Sequence, residues 1–477
     1  MKNALTLTLL VSGFGCAWTT AQSLGTFTSS GDMLHARVFH TATLLADGRV
    51  LIAGGISAYA EVADALSSAE LYDPVAGTFT ETGRMTTPRC NHTATLLPNG
   101  KVLITGGAIR SVNSFQSFSS AEIYDPATGT FSAAGDMTMD RLWHTATLLK
   151  DGKVLLAGGF QQSAQGIHFL SSAELYDPLT GTFTATREMS SPWADTATLL
   201  ADGRVLITRS DPDGIIGAQY FTDIYDPATA TFSPTGSTVY SHTGPSATFL
   251  ANGKVLIAGG DIGDGDGASF GAELYYPETG AFSATGGLRV AREQHSATLL
   301  ADGTVLLAGG HSLDGTAEIY DPVRGTSTLT GNLLGQREGH TATLLQDGRI
   351  LIAGGSRIST VGFSCCSTSI LSSTEIYHPV AIPVPTVRIT DNNTGSLTKL
   401  AVGDSFTVVV MGAPPRSLVT VTVSETGWSG TLGYTDESGS FRLSGTVVSS
   451  LAGTWHQTWS IGAAVAQPNP LSFTVTQ

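Results

Sequence analysis

Charge is scarce in this chain. Of its 477 residues only 13% are Asp, Glu, Lys or Arg, about half the usual share. Bases are scarcer than acids, 24 against 39, which leaves a net charge of −15. A protein that grips nucleic acid through its phosphates needs a basic face, so that class is excluded. Long apolar runs are missing as well. Past the N-terminal stretch no segment reaches about 18 apolar residues, so no membrane-spanning helix is expected. There are four cysteines, too few for a disulfide framework. The hydrophobic share of 41% is nevertheless too high for a disordered chain. Glycine is what abounds: 56 residues, about 12% against a typical 7%.

The chain opens with Lys2, a mostly apolar stretch from Ala4 to Trp18, and the small residues Thr19-Thr20-Ala21. That order reads as a signal peptide over residues 1–21, cleaved near Gln22. The expected product is exported: secreted, periplasmic or held at the cell surface. Export permits disulfides. The mature chain would keep Cys90, Cys365 and Cys366, an odd number. The adjacent pair Cys365-Cys366 could close a vicinal disulfide or stay as two thiols.

A phrase recurs along the chain, as in His92-Thr-Ala-Thr-Leu-Leu-Pro-Asn-Gly-Lys-Val-Leu-Ile-Thr-Gly-Gly107, then Ala121-Glu-Ile-Tyr-Asp-Pro126, then Gly129-Thr-Phe131. Its Asp-Gly or Asn-Gly pair marks seven units, at Gly48, Gly100, Gly152, Gly203, Gly253, Gly303 and Gly348. Each unit reads as four short strands. The Asp-Gly pair suits a two-residue type I′ hairpin turn, and Pro74 and its counterparts stop the third strand. Units of this size cannot bury their own faces and must pack in a ring or a stack. The seventh unit reaches Tyr377-His378-Pro379 without its fourth strand, and an orphan copy, Gly25-Thr26-Phe27, precedes the first unit. Joining the two closes a ring with no exposed edge.

The Gly-Gly pair after the second strand, with a tyrosine seven positions before an aromatic (Tyr72 and Phe79, Tyr124 and Phe131, Tyr176 and Phe183), resembles the kelch repeat over residues 25–379. The resemblance implies a seven-bladed, all-β propeller, assigned here to residues 22–380 and closed by the N-terminal strand. Residues 381–386 form a proline-containing linker. Residues 387–477 carry alternating runs such as Phe406-Thr-Val-Val-Val410 and Val419-Thr-Val-Thr-Val423, and resemble a small immunoglobulin-like β-sandwich.

Alternating strand directions put the Asp-Gly and Asp-Pro turns together on one face. The opposite face collects the segments leading into each first strand and the loops between strands two and three. Those loops vary from 7 to 19 residues, and variable loops on a rigid scaffold are where binding usually lives. This loop face carries Arg-x-x-His five times: Arg37/His40, Arg89/His92, Arg141/His144, Arg292/His295 and Arg337/His340. A residue pair repeated with every blade solves a problem each blade has, so it reads as structural. Its natural partners are the equally periodic acids Glu70, Glu122, Glu174, Asp223, Glu273, Glu318 and Glu375. No metal site and no cofactor are expected from it.

The informative residues break the repeat. Blade four has Trp193 and Asp195 where the pair should be, and Thr208-Arg209 in place of Gly-Gly. Blade five has Tyr240 and His242, and blade six adds His311. An aromatic beside polar groups suits a sugar, so Trp193, Asp195, Arg209, Tyr240, His242 and His311 are the candidate ligand-binding residues. The acidic loop after Asp261 lacks the spacing of a calcium loop.

A kelch propeller followed by an immunoglobulin-like domain is similar in layout to galactose oxidase and related copper-radical oxidases. The resemblance implies two tyrosines, two histidines and a tyrosine-linked cysteine around copper. Cys90 and His340 stand at comparable places, but Gly339 occupies the position of the tyrosine. No nucleophile elbow, zinc motif or P-loop is present, and no catalytic residue is assigned. Three classes stay open: an exported binding module for glycans or cell-envelope proteins, a divergent oxidase or carbohydrate-active enzyme, and a structural envelope component.

Overall fold

The structure is a computed structural model. It describes residues 25–58, 65–111, 114–163, 166–209, 222–240, 243–262, 267–310, 315–360 and 366–380, together with strands between 386 and 475. The signal peptide, the linker up to 385, Cys365, His242 and His311 lie outside the described residues.

Seven four-stranded antiparallel sheets form a ring. Blade 1 consists of Thr41–Leu44, Val50–Ala53, Ala69–Asp73 and Thr78–Glu81. Blades 2 to 6 repeat this order over 93–136, 145–185, 196–234, 246–284 and 296–329. Blade 7 takes Thr341–Leu344, Ile350–Ala353 and Thr374–His378, and its outer strand is Thr26–Ser29 from the start of the propeller. Phe27 pairs with Tyr377, and Thr26 with His378. The first strand of each blade touches the first strands of both neighbours, so it is the innermost.

The repeat's chemistry accounts for the packing. Second strands such as Val50-Leu51-Ile52-Ala53 are buried throughout. Alternate residues point to opposite sides, so Val50 and Ile52 pack against blade 7 while Leu51 and Ala53 pack against blade 2. Seven apolar clusters result, one for each junction between blades. The spacing of seven between tyrosine and phenylalanine is a cross-strand pair: Tyr72 sits opposite Phe79, ring centroids 4.9 Å apart. Tyr72 Oη also bonds Ser30 Oγ at 2.9 Å, and Tyr124 Oη bonds Thr82 Oγ1 at 2.8 Å.

The hairpin turn differs from the type I′ expectation. Leu45 N donates to Arg49 O and Gly48 N to Leu45 O, which encloses three residues. Only Gly48 has positive φ, +88°, and Asp47 does not. This is a type I turn followed by a glycine bulge. Asp47 Oδ1 accepts Arg49 N at 3.0 Å, so the aspartate caps the turn and needs no left-handed backbone.

Ring closure buries Gly25. A Cβ placed there would collide with the hydroxyl and ring of Tyr377, and Tyr377 is itself held against Phe27 with centroids 4.8 Å apart. Gly25→Ala is therefore expected to cost about 1–3 kcal/mol by overpacking, read from a urea melt. A melt unchanged within error would mean the closure does not bear on stability.

Residues 380–477 belong to a second unit. There Thr386–Asp391, Ser405–Met411 and Phe441–Thr446 form one antiparallel sheet, and Trp428–Tyr434, Leu418–Val423 and Gln457–Ile461 another.

Candidate functional site

The Arg-x-x-His segments build two buried belts under the loop face. Arg141 is fully buried. Its Nη1 donates to Gly158 O (2.9 Å) and Ser172 O (3.1 Å), and its Nη2 to Ser172 Oγ (3.2 Å) and Glu174 Oε1 (2.9 Å). Glu174 Oε2 in turn accepts Thr138 N at 2.8 Å. One ion pair thus staples the Gly-Gly carbonyl, the third strand and the lead-in segment of the same blade. Arg37–Glu70, Arg89–Glu122, Arg292–Glu318 and Arg337–Glu375 repeat it at 2.5 to 2.9 Å.

The histidines join one blade to the one before. His92 Nε2 bonds Thr41 Oγ1 at 3.0 Å, His144 bonds Thr93 at 3.0 Å, His295 bonds Ser246 at 2.9 Å, His340 bonds Ser296 at 2.9 Å, and His40 bonds Thr341 at 3.1 Å. Each ring packs on the first glycine of the preceding Gly-Gly: a Cβ at Gly54 would sit 2.6 Å from His92 Cε1. Burial, then the neighbouring arginine, pulls His92 and His340 down to about 3. His40 and His144 are lowered well below 6.5 by the same causes. These imidazoles are neutral at pH 7.

Among the described residues two junctions have no such histidine, and both border blade 4. Where blade 3 meets blade 4, Ala194 covers Gly158. Trp193 then joins Trp143, Phe160 and Phe169 in an aromatic cluster. Trp193 stacks on Phe160 (5.7 Å, 13° between planes) and meets Phe169 and Trp143 edge-on at 5.3 and 6.5 Å. Trp193 is half-buried, whereas Trp143 is 44% exposed. Where blade 4 meets blade 5, Asp195 Oδ1 accepts Trp193 Nε1–H (2.7 Å) and Gly244 N–H (3.2 Å).

Phe160 and Phe169 stand on a hairpin, Phe160–Ser163 with Gly166–Phe169, that extends the second-to-third-strand loop of blade 3. Blade 2 has a matching hairpin, Ala108–Ser111 with Ser114–Ser117. Asp140 ties the two together by accepting from Ser117 Oγ and Gln161 Nε2.

The candidate residues therefore divide. Trp193 and Asp195 come together at the cluster. Tyr240, 38% exposed, belongs to the lead-in segment of blade 5. Arg209 is only 3% exposed and faces inward. Its Nη2 donates to Ser190 Oγ at 3.0 Å and lies 3.8 Å from Asp223 Oδ2. It replaces the arginine that blade 4 lacks, reaching the periodic acid from the opposite strand, and does not lie on the loop surface. Trp143, Phe160 and Phe169 were not among the candidates. Their signal was present, since Trp143 precedes the histidine and Phe160 follows Gly-Gly, where other blades carry smaller or polar residues.

No protein-family model matches the chain, and no curated protein matches it. Among solved structures, the chain is similar to a fungal alcohol oxidase of the AA5 family in complex with copper. The match has a TM-score of 0.60 and 17% identity, and covers 95% of this chain and all of that one. The chain shares its overall fold with that protein. At that identity the likeness is one of fold.

The residues at the comparable place do not fit copper. His340 Nε2 is bonded to Ser296, and Gly339 offers no side chain. Cys90 is fully buried with Sγ 3.3 Å from Ala108 O. The hydroxyls of Tyr72, Tyr124, Tyr275, Tyr320 and Tyr377 are bonded between blades. Among the described residues no three His, Cys, Asp or Glu side chains are placed to hold a metal ion.

Proposed function

We propose that the propeller is a carbohydrate-binding module of an exported protein, with its site on the loop face where blades 3, 4 and 5 meet. The aromatic cluster carries this reading: it stands where the repeat breaks, and although Phe160 at its centre is buried, Trp143 at its edge is 44% exposed. An indole beside a carboxylate and a tyrosine can stack on a sugar ring while the polar groups take its hydroxyls. The two three-stranded antiparallel sheets of residues 386–461 support an immunoglobulin-like second domain.

The mature protein is screened on a glycan array, and the hits are titrated against Trp143→Ala, Tyr240→Ala and His92→Ala. The first two are expected to weaken binding by about 2 kcal/mol or more with little change in melting, whereas His92→Ala should destabilise the fold. Ligand loss that tracked folded His92→Ala, with Trp143→Ala binding normally, would remove the site.

A divergent oxidase is the second reading, favoured by the fold match alone. Protein reconstituted with copper and offered galactose, glyoxal or simple alcohols is expected to form no hydrogen peroxide above background. Turnover with stoichiometric copper would reinstate it.

A further inference from the structure

We propose that Asn99 and Asn252 are self-modification sites: each loses its side-chain amide as ammonia at a rate set by the opening of its hairpin turn, and the fold accepts the aspartate product but not the isoaspartate product. This is independent of the carbohydrate reading. The first ground is the repeat itself. These are the two asparagines that precede glycine in the chain, at the turn where five blades carry Asp47, Asp151, Asp202, Asp302 and Asp347. In all seven turns the side-chain Oδ1 accepts the N–H two residues on, at 2.9 to 3.2 Å. The turn is built alike with an amide or a carboxylate, so an aspartate at either position keeps its hydrogen bonds.

The second ground is access. Asn99 and Asn252 are exposed, and a Cβ at Gly100 or Gly253 would meet nothing within 4 Å. No side chain screens the glycine nitrogen from the asparagine Cγ, and water reaches both. Asn91 is by contrast only 7% exposed, and the bulky His92 follows it.

The chemistry needs only water. The peptide nitrogen of Gly100 attacks Cγ of Asn99. The N–Cγ bond forms, the Cγ–Nδ2 bond breaks, and ammonia leaves with the proton of the glycine N–H. Water then opens the resulting cyclic imide at either carbonyl. One opening gives aspartate. The other gives isoaspartate, whose backbone runs through the former side chain and is one carbon longer. The folded turn restrains the first step. Leu97 N–H is bonded to Lys101 O at 2.8 Å and Gly100 N–H to Leu97 O at 2.9 Å, and Leu250, Lys254 and Gly253 repeat both bonds. The nitrogen must leave its carbonyl acceptor before it attacks, so the turn has to open first. An extra backbone carbon lengthens the three-residue loop that these bonds enclose, so isoaspartate does not restore them.

For the test, the mature protein is held in mildly alkaline buffer, folded and in urea. Peptides containing residues 99 and 252 are followed by mass, and isoaspartate is separated by chromatography. In urea both sites are expected to convert before any other asparagine. In the folded protein they should convert about tenfold more slowly, as the opening of two hydrogen bonds requires. Asn99→Asp and Asn252→Asp are expected to keep the parent's urea midpoint, whereas aged protein should lose midpoint in proportion to its isoaspartate and not to its aspartate. Equal rates in the two states, faster conversion at another asparagine, or a lowered midpoint for Asn99→Asp would each overturn the proposal. The mass series uses the unmodified chain, so it decides the matter even where a variant fails to fold.

Discussion

Acidification from pH 7 to pH 5 is expected to cost the propeller about 4 kcal/mol or more of stability. The four histidines His40, His92, His144 and His340 have an ordinary value of 6.5, and burial beside arginine lowers all of them in the fold. For His92 and His340 the folded value is about 3. Between about 3 and 6.5 the unfolded chain binds a proton at each and the folded chain does not, so stability rises with pH across that window and is lost on acidification. One unit is worth 1.36 kcal/mol per group, so His92 and His340 each cost about 2 kcal/mol at pH 5. His92 and His340 together reach about 4 kcal/mol, a large part of the stability of an ordinary domain, and His40 and His144 act in the same direction. The measurement is the free energy of urea unfolding at pH 7, 6 and 5. His92→Gln, which is weaker at pH 7, should show a shallower slope by about one proton. A loss below about 2 kcal/mol by pH 5 would mean that the histidines charge without penalty.

Arg141→Met is expected to cost about 3–5 kcal/mol, because it strands the Glu174 carboxylate at zero exposure. It also removes the donors to Gly158 O and Ser172 O. Adding Glu174→Gln should recover part of the loss: the glutamine oxygen still accepts Thr138 N–H, and no uncompensated charge remains. Arg209→Met is expected to cost less, since its carboxylate lies 3.8 Å away and Asp223 keeps two contacts to Ser190 Oγ and one to Ser190 N. A double variant no more stable than Arg141→Met alone would show that lost packing, and not the buried charge, sets the cost.

Much of the propeller was legible from one unit compared with the next. The Asp-Gly marker counts the blades, the missing strand after Pro379 matches the orphan at Gly25, and the periodic Arg and Glu are partners in every complete blade. These features repeat because each blade meets the same local problem: buried carbonyls, a fully apolar second strand and an edge to cover. A repeated solution shows as a period. The turn type was not legible, because Asp-Gly suits both the two-residue and the three-residue hairpin, and the pairing of Leu45 with Arg49 selects between them.

The candidate site was legible only as a place where the period fails. That Trp193 and Asp195 are non-repeating is plain from the residues. That Arg209 turns inward to Ser190 and Asp223 is not, since its position in the chain is that of a glycine in all six other blades and its direction depends on the arginine missing from the lead-in segment. The cluster of Trp143, Phe160, Phe169 and Trp193 comes from two lead-in segments and one hairpin. The Asp195–Gly244 contact joins residues 49 positions apart. Such contacts have no period to reveal them. The sequence by itself determined the blade, which is a local solution repeated. Only the tertiary structure decided the site, because its side chains meet through the docking of neighbouring blades.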